Sequence, residues 1–342
     1  MPDPSALDRL LHRLALGRAG GMLHDIERAL FLKTSPAGSG RNVFVTGLAR
    51  AGSASLVRGL HATGQFGSLT RADMPFVLAP NTWARLPFRR AGRDGRAPGA
   101  QGGGAGPDLS LPGDFEEVFW RMADGRAYIR RDHLAPHSPD AAAMAAYRDF
   151  IRLVLRRTGT SRYLAENTNS ILRLAPLAKA FPMSDILIPV RDPLQHAQGL
   201  LDAHLRFLDA DAFTRNRMTW LVRHGFGAAH RPFRLAGEVR GDPRTLDYWL
   251  ARWIEAHRAM LAVEETLANI RFVPSEAIRA DPVLWRMIAR RLEIPAAPPK
   301  EIRSAKADPG RSQDARAHEP GLAREAQAVF GRLLERSKLK FG

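Results

Sequence analysis

A short apolar segment that runs directly into a glycine-containing turn and a helical pattern is the feature that most constrains the fold. The segment reads Val43-Phe-Val-Thr-Gly-Leu-Ala-Arg-Ala-Gly-Ser-Ala-Ser55 and continues as Leu56-Val-Arg-Gly-Leu60. Its β-branched and aromatic start favours a strand, and the apolar spacing after Ser53 favours a helix. In such a unit the amide groups of the loop and of the first helical turn face an anion, which the helix dipole also attracts. The sequence therefore predicts a phosphate-binding loop between this strand and this helix.

The loop differs from the common nucleotide-binding loop at one position. Gly47 and Gly52 have the spacing of Gly-x4-Gly-Lys-[Ser/Thr], but Ser53 occupies the position of the lysine. The cation comes earlier, at Arg50. The ligand is therefore expected to carry phosphate groups, and the missing lysine weighs against the alternative of a P-loop kinase or NTPase.

The composition is that of an ordinary globular protein and excludes several classes. The chain has 342 residues, 45% of them hydrophobic and 25% charged, which suffices for one large α/β domain with additions. No stretch approaches the roughly 20 apolar residues of a membrane span, and Met1-Pro-Asp-Pro-Ser5 lacks the order of a secretory signal. Because the chain has no cysteine, it has no thiolate nucleophile, disulfide or Cys-ligated zinc. We expect a cytoplasmic location.

The formal net charge of +16 indicates attraction to polyanions. The arginines are scattered and do not form a stripe with aromatic residues, so no specific nucleic-acid partner is expected. Residues 5–32 form two basic amphipathic patterns, with a break predicted at Gly20-Gly21. Such helices can lie on a membrane surface or pack on their own domain. Peripheral membrane contact is therefore one of two expectations for this segment.

The rest of the chain alternates predicted strands and helices, which indicates a parallel sheet. Strands are predicted at 43–46, 162–166, 185–190 and 270–273, and helices after Ser53 and at 115–121, 140–157, 172–181, 193–209, 212–224, 244–267, 282–292 and 321–337. The predicted fold class is α/β: a P-loop-like three-layer fold with a central, mainly parallel sheet flanked by helices, plus an N-terminal helical segment. We divide the chain into N-terminal amphipathic helices (1–36), an α/β domain (37–293) and an irregular tail with a final helix (294–342). A Gly- and Arg-rich segment, 89–113, is expected to be a mobile loop.

A second anion-binding element is predicted after the buried strand 185–190. Arg191-Asp192-Pro193 follows that strand, and Pro193 suits the first position of a helix. Arg191 would thus lie at the carboxyl edge of the sheet, where α/β proteins bind ligands, and a guanidinium can hold a phosphate through two parallel hydrogen bonds. Alone, the pattern also fits an arginine–aspartate pair at a helix start. Its combination with the Arg50 loop is more specific.

The two elements together resemble the sulfotransferases that use 3′-phosphoadenosine-5′-phosphosulfate (PAPS). The first loop of that family, approximately Pro-[Lys/Arg]-Ser-Gly-Thr-Thr, is similar to Ala49-Arg-Ala-Gly-Ser-Ala54, and its second element is similar to Arg191-Asp-Pro193. Four further segments resemble a bacterial branch of the superfamily: Met74-Pro-Phe-Val-Leu-Ala-Pro-Asn81, Met218-Thr-Trp220, His230-Arg-Pro-Phe233 and Leu246-Asp-Tyr-Trp249. The resemblance covers about residues 40–290. It implies PAPS as sulfuryl donor, and leaves the acceptor open among carbohydrates, lipids and small metabolites.

The resemblance also implies roles for the residues of both elements. Arg50 would neutralise charge on the transferring group and on its leaving oxygen, and Arg191 would bind the 3′-phosphate. The 5′-phosphosulfate would be held by the loop and first helical turn, which comprise Ala51, Gly52, Ser53, Ala54 and Ser55. No catalytic metal is implied, and no His, Asp or Glu cluster has the spacing of an established metal motif.

Two positions depart from the family pattern. Ala54 and Gly199 stand where relatives carry hydroxyl residues that bind phosphate. Gln195 or Gln198 is expected to bind the 3′-phosphate in place of the hydroxyl that Gly199 lacks, and PAPS affinity is expected to be weaker. A catalytically inactive protein of the same fold that binds an anionic partner is therefore an alternative to the enzyme.

An acceptor hydroxyl or amine also needs a proton acceptor within hydrogen-bond reach. In one branch of the family a glutamate follows the phosphate-loop helix by about twenty residues, and the carboxylate in the comparable region here is Asp73. Asp73 is therefore the first candidate base, although a helix cap before Pro75 would also explain it. Glu166, just beyond a predicted strand, is the second candidate. His61, inside the predicted helix, is expected to be structural.

Overall fold

The computed structural model describes residues 5–86, 108–303 and 316–341. Its strands are β1 (Val43–Val45), β2 (Leu164–Glu166), β3 (Asp185–Val190) and β4 (Ile270–Pro274). Its helices are α1 (Ala6–Leu16), α2 (Gly20–Phe31), α3 (Ser53–Ala62), α4 (Pro80–Arg85), α5 (Glu117–Tyr128), α6 (Ala141–Thr158), α7 (Leu174–Ala180), α8 (Pro193–Arg206), α9 (Ala212–Trp220), α10 (Leu246–Glu264), α11 (Ala277–Ala280), α12 (Pro282–Leu292), α13 (Lys300–Arg303) and α14 (Pro320–Phe341). Short 3-10 helices cover Leu32–Thr34, Arg71–Asp73 and Thr168–Arg173.

The four described strands form one parallel sheet in the order β2-β1-β3-β4. In the register of the central strand, Phe44 lies opposite Ala165 of β2 and Ile186 of β3. Parallel strands must be joined by crossover segments, and helices fill these connections. The predicted α/β class with a parallel central sheet is confirmed.

Alternate residues of each strand point to opposite sides of the sheet, and helices bury both sides. On one face Phe44, Ile186 and Phe272 belong to a large core built with α6, α8, α10 and α14. On the other face Val43 and Leu187 pack with residues of α3 and α12. The sheet therefore lies between two helical layers, which fixes the positions of the loops at its carboxyl edge.

Several predicted boundaries are confirmed and one break is displaced. The bounds predicted for β3 and for the helix at 282–292 match those observed, and Pro193 is the first residue of α8. The break between α1 and α2 lies at residues 17–19, and Gly20 already belongs to α2. At position 17 a Cβ atom would lie only 2.1 Å from the Arg13 carbonyl oxygen. The backbone at the end of α1 therefore requires the glycine that is found there, Gly17.

Of the Gly- and Arg-rich segment 89–113, which is predicted to be mobile, residues 89–107 lie outside the described residues. Its described residues, 108–113, are hydrogen-bonded to the segment around residue 71: the Leu109 and Leu111 carbonyls accept backbone hydrogen bonds from the Ala72 and Arg71 amides, respectively. Within the described ranges, no helix is both long enough and apolar enough to cross a membrane.

Candidate active site

The carboxyl ends of the four strands meet at one edge of the sheet, and each leads into a residue of the candidate site. β1 leads into the loop 46–52, β2 ends at Glu166, β3 precedes Arg191, and β4 precedes Ser275. Because β2 and β3 lie on opposite sides of β1, the loop lies between the strand ends that carry Glu166 and Arg191. This edge is the usual ligand-binding position in open α/β sheets.

The loop itself adopts three left-handed conformations. Gly47, Arg50 and Gly52 have φ angles of 143°, 69° and 100°, and α3 starts at Ser53. A Cβ atom on Gly52 would lie 2.8 Å from Ser275 Oγ, and that hydroxyl donates to the Ala51 carbonyl. Glycine is thus required at position 52 by both φ and space. Arg50 is a non-glycine residue with positive φ, an uncommon backbone state that it shares with Val222 and Glu293 among the described residues.

A buried histidine ties the loop to two helices. His196 of α8 is fully buried, its Nε2 lies 2.8 Å from the Ala49 carbonyl oxygen, and its Nδ1 accepts a 3.1 Å hydrogen bond from Trp253 Nε1 of α10. Since Nδ1 is the acceptor, Nε2 carries the proton and donates to Ala49. Burial lowers the pKa of His196 to about 4, so the ring is neutral at pH 7. The role of His196 could not be predicted from the sequence, because no motif marks a histidine that supports a loop 147 residues away.

Glu166 contacts the first residue of the helix that follows the loop. Ser53 Oγ donates a 2.6 Å hydrogen bond to Glu166 Oε1. Burial raises the pKa of Glu166, and the Ser53 hydrogen bond together with the charges of Arg223 and Arg58 opposes that rise. A carboxylate with a raised pKa at a nucleotide-type loop has the properties of a general base.

A second carboxylate, Asp114, interacts electrostatically with Glu166. Burial raises the pKa of Asp114 to about 7, the Arg223 charge opposes this rise, and the Glu166 charge adds to it. Asp114 Oδ1 is buried without a hydrogen-bond partner, and Arg223 Nη2 donates to the Asp114 backbone carbonyl at 2.9 Å. Burial thus raises the pKa of both carboxyl groups, and the Arg223 charge opposes the rise in each. Asp114 is hard to identify from the sequence as a site residue, because no motif surrounds it and it simply follows a Pro-Gly pair.

Asp73 is buried and held by two partners. Its Oδ2 accepts hydrogen bonds from the Thr70 amide at 2.8 Å and hydroxyl at 3.0 Å, and its Oδ1 accepts from Arg157 Nε at 2.8 Å. Asp73 thereby completes a capping box for the short 3-10 helix Arg71–Asp73. These contacts agree with the capping interpretation of Asp73 and give it a structural role.

Arg191 is largely buried at the end of β3. Its Nε forms an ion pair with Glu276 Oε1 at 3.2 Å, and its Nη2 lies 3.4 Å from Gln195 Oε1. The Asp192 side chain accepts from the Gln195 amide and so caps α8, as the Asp-Pro pattern indicates. A phosphate at Arg191 would compete with Glu276, whose side chain is 43% exposed and can move away.

The residues expected to assist Arg191 differ in their surroundings. Gln195 is exposed beside Arg191, whereas Gln198 Nε2 donates to Asp202 Oδ1 at 2.9 Å. Gly199 is adjacent to the phosphate-binding loop: a Cβ atom there would lie 4.0 Å from Arg50 Cβ. Gly199 thus connects the Arg191 helix with the Arg50 loop.

The remaining predicted positions lie in α3. Ala54 is exposed, Ser55 is half-buried, and burial lowers the pKa of His61. Within the described ranges, no three His, Asp or Glu side chains are grouped as metal ligands would be.

The structure is similar to solved bacterial sulfotransferases. No protein-family model and no curated protein matches the sequence. Sulfotransferase STF1 from Mycobacterium tuberculosis aligns over 97% of this chain and 87% of its own, with 15% identity and a TM-score of 0.50. Sulfotransferase STF9 from Mycobacterium avium aligns over 98% of this chain and 87% of its own, with 14% identity and a TM-score of 0.48. The likeness to STF1 concerns the fold, and it confirms that this chain has the fold of a bacterial sulfotransferase.

Proposed function

We propose that the protein transfers the sulfuryl group of PAPS to a hydroxyl or amine of an acceptor. The observation that carries the proposal is that the Arg50 loop and Arg191, the two predicted anion-binding elements, lie at the ends of the adjacent strands β1 and β3. The likeness to STF1 in fold supports it. A donor with phosphate at both its 5′ and 3′ positions needs two such elements, whereas a 5′-nucleotide needs one.

On this proposal the loop binds the 5′-phosphosulfate. The left-handed residues turn the backbone toward the start of α3, where the free amides of a helix N-terminus attract an anion. Arg50 neutralises charge as the acceptor atom bonds to sulfur and the bond from sulfur to the bridging phosphate oxygen breaks. The rate of sulfuryl transfer is then raised by positioning of donor and acceptor and by stabilisation of the transition-state charge, as in phosphoryl transfer. Arg191, with Gln195 beside it, binds the 3′-phosphate.

For the proton of the acceptor, Glu166 fits better than Asp73. Glu166 hydrogen-bonds to Ser53 at the start of α3, and burial raises its pKa toward the range of an effective base. Asp73 is 1% exposed and already engaged by Arg157 and Thr70. We therefore propose Glu166 as the base. Asp73 is the alternative, and mutation of each carboxylate distinguishes between the two candidates.

The donor assignment is tested by comparing adenosine 3′,5′-bisphosphate with 5′-AMP in calorimetric binding. We expect the bisphosphate to bind at least tenfold more tightly, because a hydrogen-bonded ion pair to phosphate contributes about 1.5–3 kcal/mol. Arg191→Ala should remove that difference and leave 5′-AMP affinity nearly unchanged. Arg206→Ala, at the other end of α8, is the control and should retain the difference.

Equal affinity for the two nucleotides, with no effect of Arg191→Ala, would contradict the proposal. Metal-dependent ATP turnover would favour the kinase or NTPase alternative. Tight bisphosphate binding without transfer of label from PAPS to any component of a whole-cell extract would favour an inactive protein with an anionic partner.

We also propose a cytoplasmic protein that contacts anionic membranes through α1 and α2. One face of these helices packs on the domain through residues such as Leu16 and Phe31. The two helices also expose large apolar side chains, each 46–63% exposed: Leu7, Leu10, Leu14, Met22, Ile26 and Leu30. Exposed cations accompany them, namely Arg9, Arg13, Arg18 and Lys33. This combination is typical of helices that lie in the headgroup region of a membrane.

Sedimentation with vesicles rich in phosphatidylserine at low salt tests this membrane contact. The wild-type protein should sediment with these vesicles and not with phosphatidylcholine vesicles. A variant combining Leu10→Ser and Leu30→Ser should lose binding, and Met183→Ser, which changes an equally exposed methionine elsewhere, should not. Absence of wild-type sedimentation would contradict the proposal.

A further inference from the structure

We propose that the acceptor carries an apolar group, an alkyl chain or an aromatic ring, which binds in a pocket beside the phosphate-binding loop. The inference rests on the proposed sulfuryl transfer and specifies its substrate class. Alcohols, phenols or amines with such a group would be substrates, and free sugars would be poor ones.

The pocket borders the reaction centre on two sides. Leu48 and Ala49 of the loop form one part of its wall, directly before Arg50, and Thr168 forms another part, two residues after Glu166. A molecule seated there can place its hydroxyl or amine between the loop and Glu166 while its remaining atoms occupy the pocket. The surrounding wall comes from α8, α10 and the segment 225–235.

The lining is mostly carbon. The cavity volume of the pocket is about 30 Å³, which suits a small apolar group, and its apolar wall consists of Leu48, Ala49, Leu200, Pro232, Phe233, Leu235, Trp249 and Ala256. Ligand pockets are typically lined by apolar and aromatic side chains, with few polar groups to orient the ligand. An apolar group entering this pocket gains free energy by leaving water.

Two polar residues of the wall, Glu255 and His230, already have partners within the protein. Glu255 forms an ion pair with Arg252, and its Oε1 accepts from the amides of Leu235 at 3.0 Å and Ala236 at 2.8 Å. His230 is bonded through both ring nitrogens, to the His224 carbonyl at 3.0 Å and to the Tyr248 hydroxyl at 2.8 Å. A sugar that faced Glu255 or His230 would have to replace these hydrogen bonds or leave its own hydroxyls unpaired, and both cost free energy.

A series of primary n-alkanols tests the inference, with labelled PAPS as donor and glucose as the polar comparison. We expect kcat/KM to rise about fourfold for each added methylene until the pocket is filled, since burial of one methylene contributes about 0.8 kcal/mol. Glucose should react more slowly than the longer alkanols. Sulfated products formed from a whole-cell extract should partition into an organic phase.

Two glycine substitutions provide a variant and its control. Gly225 lines the pocket, and a Cβ atom there would lie 3.9 Å from Ala49 Cβ, so the Cβ atom of Gly225→Val makes an ordinary contact with Ala49. It should flatten the chain-length dependence and leave affinity for adenosine 3′,5′-bisphosphate unchanged, which also verifies that the variant is folded. Gly331→Val on α14, where a Cβ atom meets no atom within 4 Å, should keep the dependence.

Transfer to glucose but not to alkanols, or rates independent of chain length, would overturn the apolar acceptor and leave sulfuryl transfer intact. Failure of every acceptor in the alkanol series and in the extract, despite bisphosphate binding, would overturn both proposals. An unchanged chain-length dependence in Gly225→Val would show that the apolar group binds elsewhere.

Discussion

At the scale of single residues, Glu166 and Asp73 illustrate how surroundings decide what a carboxylate can do. Asp73 is fully engaged by Thr70 and Arg157, so it stabilises a turn. Glu166 bonds to a single serine hydroxyl at the start of α3, and burial raises its pKa. Glu166 thus combines a pKa raised by burial with a position at the start of α3, beside the loop.

Substitution of each carboxylate by its amide separates the two candidates. Glu166→Gln should lower kcat at least 100-fold, the usual contribution of a general base, and leave bisphosphate affinity within about twofold. Asp73→Asn should lower the free energy of unfolding by about 3 kcal/mol, because it removes the negative charge that pairs with Arg157 and leaves one acceptor oxygen for the donors of Arg157 and Thr70, while the folded protein keeps its turnover. Wild-type kcat/KM should rise with pH through the raised pKa of Glu166, and this limb should vanish in Glu166→Gln. The reverse pattern, with turnover abolished only in Asp73→Asn, would assign the base to Asp73.

Gly199 permits a gain-of-affinity test. The nearest atom to a Cβ at this position is Arg50 Cβ at 4.0 Å, so Gly199→Ser fits without a clash and places a hydroxyl near the phosphate-binding residues. We expect about tenfold tighter binding of adenosine 3′,5′-bisphosphate, and a helix stabilised by roughly 0.5 kcal/mol. Calorimetry and thermal unfolding measure the two effects. Gly331→Ser is the control for the helix effect alone, and an unchanged affinity in Gly199→Ser would remove Gly199 from the donor site.

At the scale of elements, the loop depends on helices far from it in the chain. The hydrogen bonds from Trp253 to His196 and from His196 to Ala49 connect α10, α8 and the loop. Ser275 after β4 fixes the same loop from the other side through the Ala51 carbonyl. The left-handed backbone at Arg50 is thus held by residues of three different elements, which is the condition for keeping a strained conformation.

Two buried histidines provide a matched test of this connection. His196→Ala and His257→Ala both remove a fully buried ring, and each should lower the free energy of unfolding by about 2–4 kcal/mol. His257 stacks on Trp253 at 3.9 Å and bonds to the Trp253 carbonyl, not to the loop. Only His196→Ala should therefore weaken bisphosphate binding, by tenfold or more, as measured by calorimetry after denaturant titration. An equal decrease of affinity in both variants would show that the histidine bond does not position the loop.

At the scale of the whole molecule, buried ionisable groups set the dependence of stability on pH. Burial lowers the pKa of His196, His224 and His230 to about 4 and that of His257 to about 3. These groups bind protons in the unfolded chain but not in the folded one between about pH 4 and 6.5, so stability falls as pH decreases through this range. Burial raises the pKa of Glu116 to about 8, so between pH 4.5 and 8 the folded state retains a proton that the unfolded chain releases.

The free energy of unfolding should therefore be highest near pH 6.5. Above that pH it should fall by about 1.4 kcal/mol per pH unit for each group that retains a proton only in the folded state. Glu116→Gln should flatten the decline between pH 6.5 and 8, because Gln replaces the protonated carboxyl that bonds to Tyr147. Urea titrations at half-unit pH intervals measure both profiles. A stability that keeps rising to pH 8 in the wild-type protein would contradict this account.

The elements whose cause is local can be predicted from their own residues. The β-branched strands, the Asp-Pro start of α8 and the glycines of the loop are fixed by steric and capping preferences of a few neighbouring residues. The alternation of these elements sufficed to predict a parallel sheet, and two loops at strand ends sufficed to indicate the fold.

The polar side chains around the Arg50 loop are brought there by tertiary packing. Glu166 is 113 residues from Ser53, His196 is 147 residues from Ala49, and Ser275 is 224 residues from Ala51. Such contacts follow from strand order and helix packing, which no local pattern encodes. Asp73 and Glu166 are both acidic residues near predicted turns in the sequence, and only burial and hydrogen bonding distinguish them. The loop could therefore be predicted from its own residues, whereas the groups that hold it and give it chemistry come from the folding of the whole chain.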